Sequence, residues 1–444
     1  MKIKGTLIQA VIAAAWWVAM PAWADALLDR ARALIDVGRG GEAYPLLAPH
    51  EAQRKGEPEF DLLYGVAAFE AGENTRALFA LERVLAVDPG NNRARAEIAR
   101  VYLAIGDTEV ARREFENVKR QGVPPEVAST IEKFLEAVSR IEDETRPSLK
   151  AYVEGTLGAD SNVNSSMGNS SQAIPALGGF VFQFGPGATK TADSFASLGA
   201  GLRYRNPLGD GLAFIAGLSA AQRSNFEDHE YDTANLDGHV GLVKSVGDNI
   251  YTVTLQANGI SIDHDRYRNA TGLTGQWQHN LSTREQVTAY LQYSDLRYKS
   301  FQNVDQSIRD AHRWVFGAAY ARAFEGGWIG YAGAYLGAEN EKARNVPHLG
   351  HDLAGVRLGG ERPVSDNVTL FANLAYEHRR YGGEWPLFLT KREDNQTTLG
   401  FGANIVPAKH WLLTPQVSLT HNDSSVSLTE FRRKTASITL RRDF

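Results

Sequence analysis

The end of the chain alternates between apolar and polar side chains. Along residues 434–444 one face is apolar except at Arg442, and its members are Ala436, Ile438, Leu440 and Phe444. Successive side chains of a β-strand point to opposite sides of the sheet, so this segment predicts a strand with one apolar and one wet face. The same alternation recurs from Leu149 onward. A water-lined barrel in lipid needs such strands throughout, and the pattern predicts a transmembrane antiparallel β-barrel of the outer-membrane type over residues 147–444.

Segments with period two, bounded by turn residues, predict the individual strands. We predict fourteen of them, at 149–159, 194–206, 211–223, 231–246, 250–262, 267–281, 284–296, 309–324, 327–339, 351–363, 367–381, 391–406, 410–422 and 433–444. Their connections alternate between short turns, such as 207–210, and segments that are mostly longer, such as 160–193. Outer-membrane barrels have short periplasmic turns and long outer loops. Because the strand number is even, both barrel ends lie on one side, which is periplasmic if the preceding segment is periplasmic.

Aromatic residues favour the same interpretation. Phe444 is a terminal aromatic after an alternating strand, and we predict that the barrel-assembly machinery reads it as a signal. Other aromatics fall near predicted strand ends, where outer-membrane lipid meets water. They are Trp277, Trp314, Trp328, Trp411, Tyr376 and Tyr381.

The first 24 residues have the composition of a signal peptide. Lys2 and Lys4 precede an apolar run from Leu7 to Met20, and Ala22-Trp23-Ala24 supplies a cleavage motif. We predict a mature chain that begins at Asp25. A membrane anchor is the alternative, but the apolar run is short for a membrane span. The sequence contains no cysteine, which excludes disulfides, thiolate metal sites and a lipidated cysteine.

Residues 25–146 show a period of 34 residues and almost no strand pattern. Three sets of small residues recur at this spacing, namely Gly38, Gly72 and Gly106, then Ala43, Ala77 and Ala111, and then Ala31, Gly65 and Ala99. This is the period of tetratricopeptide repeats, which stack helix pairs into an α-solenoid. We expect the small residues where the two helices of a unit approach closely. We also predict a closing helix over 121–141 and a linker over 142–147; an ordinary helical bundle is the alternative.

Solenoids of this kind present a concave face built from the first helix of each unit. By resemblance to the repeat consensus, we expect that face to carry Glu59, Leu62, Val66, Phe69 and Glu70, followed by Arg93, Ala96, Arg100, Leu103 and Ala104. We predict that such a charged face binds peptides or protein segments. The candidate client-binding residues are Glu59, Leu62, Phe69, Glu70, Arg93 and Arg100. Solvated surface is the alternative for each charged residue taken singly.

Composition and motifs do not favour an enzyme or a nucleic-acid-binding protein. The formal net charge is −5, and without Lys2 and Lys4 it becomes −7 (45 basic against 52 acidic residues), so no concentrated basic patch is expected. Histidines such as His348 and His351 are interpreted as polar loop residues. The segment 160–164 begins like a calcium loop but lacks the glycine and the acidic residue that the motif requires. We predict no catalytic residue, metal site or cofactor.

Three local motifs accompany this organisation. Gly158-Ala159-Asp160-Ser161-Asn162-Val163-Asn164 follows the first strand, Arg380-Tyr381 precedes Lys391-Arg392-Glu393-Asp394, and Asn422-Asp423-Ser424-Ser425 leads through Phe431-Arg432-Arg433 to Phe444. Together with the signal peptide, repeats and barrel, they resemble the surface lipoprotein assembly modulators (the Slam family), also called type XI secretion translocons. The motifs are similar to the family's Asp-x-Asn-x-Asn segment, its Arg-Tyr…Lys-Arg-x-Asp region and its closing strand pair. Glu430-Phe431-Arg432 stands where the family has Tyr-x-Tyr-x-Arg.

The resemblance implies an outer-membrane translocon. Its client would be a surface lipoprotein or a secreted haem- or metal-acquisition protein, received by the repeat domain in the periplasm. The client could pass through the lumen or past a seam between the first and last strands, which Gly155 and Gly158 would weaken. The loop 160–193 could plug the lumen or cover its mouth. Alternative hypotheses are a polysaccharide export porin, a surface barrel hydrolase and a general diffusion or uptake porin.

Overall fold

The computed structural model describes residues 25–300 and 304–444. The chain divides into two compact units with the boundary between Arg146 and Pro147. The predicted signal peptide, residues 1–24, lies outside the described residues. Among the residues that the structure describes, no helix is both long enough and apolar enough to cross a membrane.

The first unit is an array of helix pairs. Its helices are α1 (Ala26–Asp36), α2 (Gly40–Leu47), α3 (Glu51–Arg54), α4 (Pro58–Glu70), α5 (Asn74–Val87), α6 (Asn92–Ile105), α7 (Thr108–Arg120) and α8 (Pro125–Thr145). Gly38, Gly72 and Gly106 follow α1, α4 and α6 and have φ of 74°, 85° and 89°. This left-handed conformation favours glycine and ends a helix. The 34-residue glycine spacing is therefore the spacing of the turns within the repeats, and the predicted solenoid is confirmed.

Small residues allow the two helices of each repeat to pack closely. Ala31, Gly65 and Ala99 are buried in the first helices. A Cβ at Gly65 would lie only 2.6 Å from Cγ of Leu81 in the facing helix α5. The closing helix α8 is longer than predicted, since it continues to Thr145 and includes most of the expected linker.

The second unit is a closed barrel of fourteen antiparallel strands, as predicted. The strands of this unit are β1 (Ser148–Asp160), β2 (Ser171–Ile174), β3 (Phe180–Gln183), β4 (Asp193–Gly209), β5 (Leu212–Asn225), β6 (Thr233–Val246), β7 (Asn249–Ile262), β8 (Asp265–Asn280), β9 (Glu285–Tyr298), β10 (Ala311–Ala323), β11 (Ile329–Glu341), β12 (His351–Ser365), β13 (Val368–Trp385), β14 (Thr390–Ile405), β15 (Trp411–Ser424) and β16 (Phe431–Asp443). β2 and β3 form a separate hairpin, and β1 closes the barrel by pairing with both β4 and β16.

Side chains alternate between the outside of the barrel and its lumen. In β1, Leu149, Val153 and Leu157 lie on one face and are 66%, 49% and 63% exposed. The opposite face of the same strand carries Tyr152, Glu154 and Thr156. Large apolar side chains exposed in this way form the band that lipid covers in an outer-membrane barrel, whereas the polar face lines the lumen.

The connections at one end of the barrel are long, and in outer-membrane barrels this end faces away from the cell. Two of them are shorter than the sequence suggested. Asp263 and His264 join β7 to β8 as a two-residue turn with positive φ at both positions, and residues 386–389 join β13 to β14 because both strands extend into the predicted loop. We call this end the outer rim.

The loop 161–192 lies on the outer rim. It contains the β2–β3 hairpin, whose Ile174 is buried in a cluster with Phe388 and Val426. Those two residues belong to the β13–β14 and β15–β16 connections. The backbone N–H of Ala176 also donates to the carbonyl oxygen of Leu387 at 3.1 Å. Of the two alternatives raised by the sequence, these contacts with other rim loops favour a cover over the mouth.

Candidate functional site

Four of the six candidate residues, which are Leu62, Phe69, Glu70 and Arg100, lie on α4 and α6. Leu62 and Phe69 are half-buried and pack against the apolar cluster shared by these helices. The guanidinium carbon of Arg100 lies 5.1 Å from the centre of the Phe69 ring. Arg100 also donates to Oε2 of Glu97 at 2.6 Å. Leu62 and Phe69 thus form an apolar surface, and the guanidinium of Arg100 packs against it.

Glu70 is the acidic member of this group. Its Oε2 accepts a hydrogen bond from the backbone N–H of Gly40 at 2.8 Å. Burial raises the pKa of the Glu70 carboxyl above its ordinary value, although the Gly40 hydrogen bond and the charge of Arg100 oppose that shift.

The remaining predicted groove residues lie apart from that cluster. Glu59 is exposed and forms an ion pair with Arg32 of α1. Arg93 is half-buried, and its Nε has no hydrogen-bond partner within the described part of the chain. Val66 is only 2% exposed, so its expected place on the concave face was wrong: it belongs to the packing between helices. We use the name groove for the cluster of Leu62, Phe69, Glu70 and Arg100; that this cluster, together with Glu59 and Arg93, binds a client stays a prediction.

At the outer rim, Asp160 is the centre of a buried polar cluster. Its side chain is fully buried, and Nη2 of Arg433 in β16 lies 2.5 Å from its Oδ2. Nη2 of Arg223 in β5 donates to the same oxygen at 3.1 Å. Asp160 ends β1, so one carboxylate connects the first strand to the last strand and to β5. We call Asp160, Arg433 and Arg223 the rim latch.

The packing around the rim latch explains a glycine in β1. Arg223 stacks on the ring of Phe195, with 3.7 Å between its guanidinium carbon and the ring centre. A Cβ at Gly158 would lie 2.5 Å from Cζ of Phe195. Glycine at this position therefore makes room for the aromatic ring that supports Arg223, a reason that the sequence alone did not supply.

The two asparagines after Asp160 fix the start of the long loop. The side-chain amide of Asn162 donates to the carbonyl oxygens of Ser166 at 2.8 Å and Arg432 at 3.1 Å. Asn164 donates to the carbonyl oxygen of Thr189 at 2.7 Å. The segment that resembled a calcium loop thus satisfies backbone groups of its own loop and of β16. Within the described residues, no group of three or more His, Cys, Asp or Glu is placed to hold a metal ion.

A second polar cluster lies in the lumen near the same rim. Asp394 in β14 is fully buried and accepts hydrogen bonds from Arg392 at 2.6 Å and from Ser424 at 2.7 Å. Arg392 also lies over the ring of Tyr381, 4.5 Å from its centre. The sequence motif that contains Tyr381, Arg392 and Asp394 is therefore a set of contacts between β13, β14 and β15.

At the opposite end of the barrel, Phe444 continues the pairing of the last strand. Its backbone N–H donates to the carbonyl oxygen of Ala151 at 2.8 Å, while its side chain is 61% exposed. The guanidinium carbon of Arg442 lies 5.0 Å from the Phe444 ring and 5.3 Å from the Trp411 ring. An exposed terminal ring is available to another protein, and its role as an assembly signal stays a prediction.

Comparisons with known proteins identify both units. Residues 68–133 match the tetratricopeptide repeat, and residues 155–444 match the surface lipoprotein assembly modifier family. A surface lipoprotein assembly modifier of Moraxella catarrhalis is 20% identical over 370 residues, which cover 80% of this chain and 67% of that protein.

Among solved structures, the toluene transporter TodX of P. putida has a TM-score of 0.35 and is 10% identical in sequence. The match covers 66% of this chain and 90% of that chain. A loop-deletion mutant of OmpT, an outer membrane protein of Vibrio cholerae, has 10% identity, coverage of 67% and 99%, and a TM-score of 0.37. The translocator chaperone SycD of Yersinia enterocolitica has 16% identity, coverage of 27% and 85%, and a TM-score of 0.25.

The family match extends over the barrel from its first strand to its last residue and covers most of the chain. It includes the rim latch and the cluster around Asp394, and the repeat domain is of the tetratricopeptide type. This chain belongs to the surface lipoprotein assembly modifier family.

Proposed function

We propose that this protein delivers a lipoprotein client across the outer membrane, and that its repeat domain receives the client in the periplasm. The observation that supports the proposal is that one chain joins a tetratricopeptide repeat domain to a closed barrel of the surface lipoprotein assembly modifier family. A groove of this type binds polypeptide segments, and a barrel provides a path through lipid. A client that first binds the repeat domain and then crosses the membrane through the barrel requires both units.

The groove suits a client segment that is not fully folded. Leu62 and Phe69 offer apolar contact, while Arg100 and Glu70 offer charges of opposite sign. An unfolded segment exposes apolar side chains and unpaired backbone groups together, and this surface provides partners for each. Because no nucleotide is available in the periplasm, the free energy for transport would come from binding and from folding of the client outside.

The size of the barrel limits what it can conduct. Barrels of about 8 strands are filled by their own side chains, and those of about 16–18 strands leave an aqueous channel. This barrel has fourteen strands and lies between these sizes. It would not admit a folded domain, whereas an extended polypeptide is narrow enough to pass.

A test of the proposal compares the removal of two charges in the groove with the removal of two charges elsewhere on the repeat domain. The double variant Glu70→Gln/Arg100→Gln removes the two charges beside Leu62 and Phe69, and Glu82→Gln/Arg113→Gln removes two exposed charges outside the groove. A lipoprotein encoded beside this gene is expressed with each barrel in a Gram-negative host, and protease accessibility on intact cells reports its exposure. We expect at least a fivefold loss with the groove variant only. Equal exposure with both variants, or with residues 25–146 deleted, would contradict the role of the repeat domain.

The alternative functions are separated from this proposal by experiment. A porin for acidic polysaccharides would need unpaired positive charge in the lumen. Arg379, Arg392 and Arg433 are paired with carboxylates, whereas Nε of Arg205 and of Arg313 has no hydrogen-bond partner among the described residues. Secretion of an acidic polymer that depends on this chain would favour the porin. A surface hydrolase would need a nucleophile next to a base, and the cluster around Asp394 is a structural network of charge pairs. Purified protein assayed with lipid and peptide esters would test the hydrolase directly.

A further inference from the structure

The barrel has one boundary where neighbouring strands are not joined by a connection between them. It is the boundary between β1 and β16, which we call the seam. The seam contains nine register pairs, from Tyr152 to Asp160, whereas β1 forms thirteen with β4 on its other side. Separating β1 from β16 therefore strains no covalent connection between these two strands, but it also breaks the contacts of loop 161–192 with β16, such as that of Asn162 with Arg432.

Side-chain contacts across the seam differ between its two ends. At the outer rim, Asp160 is fully buried against Arg433, and Lys434 donates its backbone N–H to Oγ of Ser161 at 2.8 Å. Towards the other end, Arg441 and Glu154 form a looser ion pair at 3.9 Å, and their side chains are 31% and 33% exposed. Arg441 also stacks on the Tyr152 ring, with 3.9 Å between its guanidinium carbon and the ring centre. The seam is thus fastened at the rim by a buried charge pair and at the other end by partly exposed contacts.

The rim latch is built so that it can open without leaving a buried charge alone. If β16 moves away, Asp160 loses Arg433 but keeps Arg223, which belongs to β5. A buried carboxylate without any partner would be strongly unfavourable. Because Arg223 remains, the carboxylate stays compensated while the seam is open, and Arg433 can return to it.

A lipoprotein client poses a problem that a closed lumen cannot solve. Its polypeptide carries polar backbone groups, which need partners and cannot cross lipid unpaired. Its acyl chains favour lipid over a lumen lined by charged and polar side chains. Only a path that is open to lipid on one side accommodates both parts of the same molecule.

We propose that the seam opens sideways to pass the acyl chains of a lipidated client while the polypeptide crosses in the lumen, and that the rim latch controls this opening. The proposal rests on the proposed function, since it assumes export of a lipoprotein. It differs from lumenal threading because it predicts that a fixed seam stops a lipidated client and not an unlipidated one.

The chain offers a matched pair of sites for the test. Thr156 and Thr439 face each other across the seam with 2.8 Å between their hydroxyl oxygens. Thr398 and Thr420 face each other across β14 and β15 with 3.2 Å between theirs. Because the sequence contains no cysteine, Thr156→Cys/Thr439→Cys locks the seam specifically, and Thr398→Cys/Thr420→Cys locks a neighbouring boundary as the control.

The probe is a lipoprotein that requires the wild-type barrel for exposure, together with its unlipidated variant. Protease accessibility on intact cells is compared before and after addition of reductant, with crosslinking and barrel assembly checked by gel mobility. We expect the oxidised seam lock to lower exposure of the lipidated probe at least tenfold, reductant to restore it, and the unlipidated probe to be unaffected. Full exposure with a fully crosslinked seam, or equal loss with the control lock, would overturn the proposal and leave the export function standing.

A second arm tests the latch itself. Asp160→Asn weakens the bond to Arg433, so we expect cells to become more sensitive to a large antibiotic such as vancomycin. Asp394→Asn changes the other buried rim carboxylate and serves as the control. Adding the oxidised seam lock to Asp160→Asn should reverse the sensitivity. If it does not, the leak arises elsewhere in the barrel and the latch assignment is wrong. If no lipoprotein needs the wild-type barrel, the proposed function fails, and this proposal with it.

Discussion

Removing the carboxylate of Asp61 should destabilise the repeat domain strongly. The Asp61 side chain is 1% exposed and pairs with Arg83, whose Nη2 lies 2.6 Å from Oδ1. Nε of Arg83 donates to Oδ2 at 3.0 Å, and the backbone N–H of Gly56 donates to the same oxygen at 2.8 Å. In Asp61→Ala all three donors lose a charged acceptor. Breaking a buried pair costs about 3–5 kcal/mol, and we expect about 3 kcal/mol because Arg83 is 29% exposed and regains water.

The expected cost converts into a shift of the unfolding temperature. For roughly 120 residues the entropy of unfolding is about 0.25 kcal/mol per kelvin, so a loss of about 3 kcal/mol lowers the midpoint by about 12 °C. Circular dichroism at 222 nm of the full chain in detergent follows the helices, and the mobility of unboiled protein on gels reports the barrel. Glu42→Ala, which removes an exposed partner of Arg39, is the control and should leave the midpoint unchanged. A shift below about 4 °C for Asp61→Ala would refute the reasoning from burial.

Three further changes have defined outcomes. Glu70→Gln should raise the unfolding midpoint at pH 7. Burial raises the pKa of the Glu70 carboxyl in the folded protein, so the ionised carboxylate destabilises the fold at pH values above the ordinary pKa of a glutamate. The gain in stability should therefore vanish as the pH falls below that ordinary pKa. A constant gain at all pH values would contradict this account. Gly65→Leu should cost about 1–3 kcal/mol by overpacking against Leu81, measured by the same circular dichroism melt; an unchanged midpoint would show that the helices can separate. Ile174→Asp should free the hairpin from the rim, so that chymotrypsin added to intact cells cuts after Phe180 or Phe182 while the barrel stays folded. Unchanged resistance would mean that other contacts fix the hairpin.

The fold followed largely from two periodicities in the sequence. The alternation of apolar and polar residues predicted all fourteen barrel strands. Each strand has lipid on one side and water on the other, so every second side chain must be apolar. The 34-residue spacing of Gly38, Gly72 and Gly106 predicted the helical repeats, because these glycines occupy turns that require positive φ. The errors were at the ends of elements. Residues 382–385 were expected in a loop, but β13 continues through them, since pairing with β14 resumes after an irregularity at Arg380.

The candidate sites were predicted less completely. The consensus positions placed Phe69, Glu70 and Arg100 in the groove, but they also placed Val66 there, which is buried. The motif after the first strand pointed to Asp160, yet nothing in the sequence pointed to Arg223 as its second partner. Arg223 lies 63 residues away along the chain, in a strand whose alternation fixes only which face it occupies.

The sequence by itself determined which residues face lipid, which face water and where the helices turn, because those properties depend on local spacing. Only the tertiary structure decided which charges meet in the lumen, that β1 closes on β16 through nine register pairs, and that Asp160 connects three strands. Such contacts depend on strand register and on closure of the barrel. A shift of register by two residues would leave every side chain on its own face while changing the partner of every charged side chain.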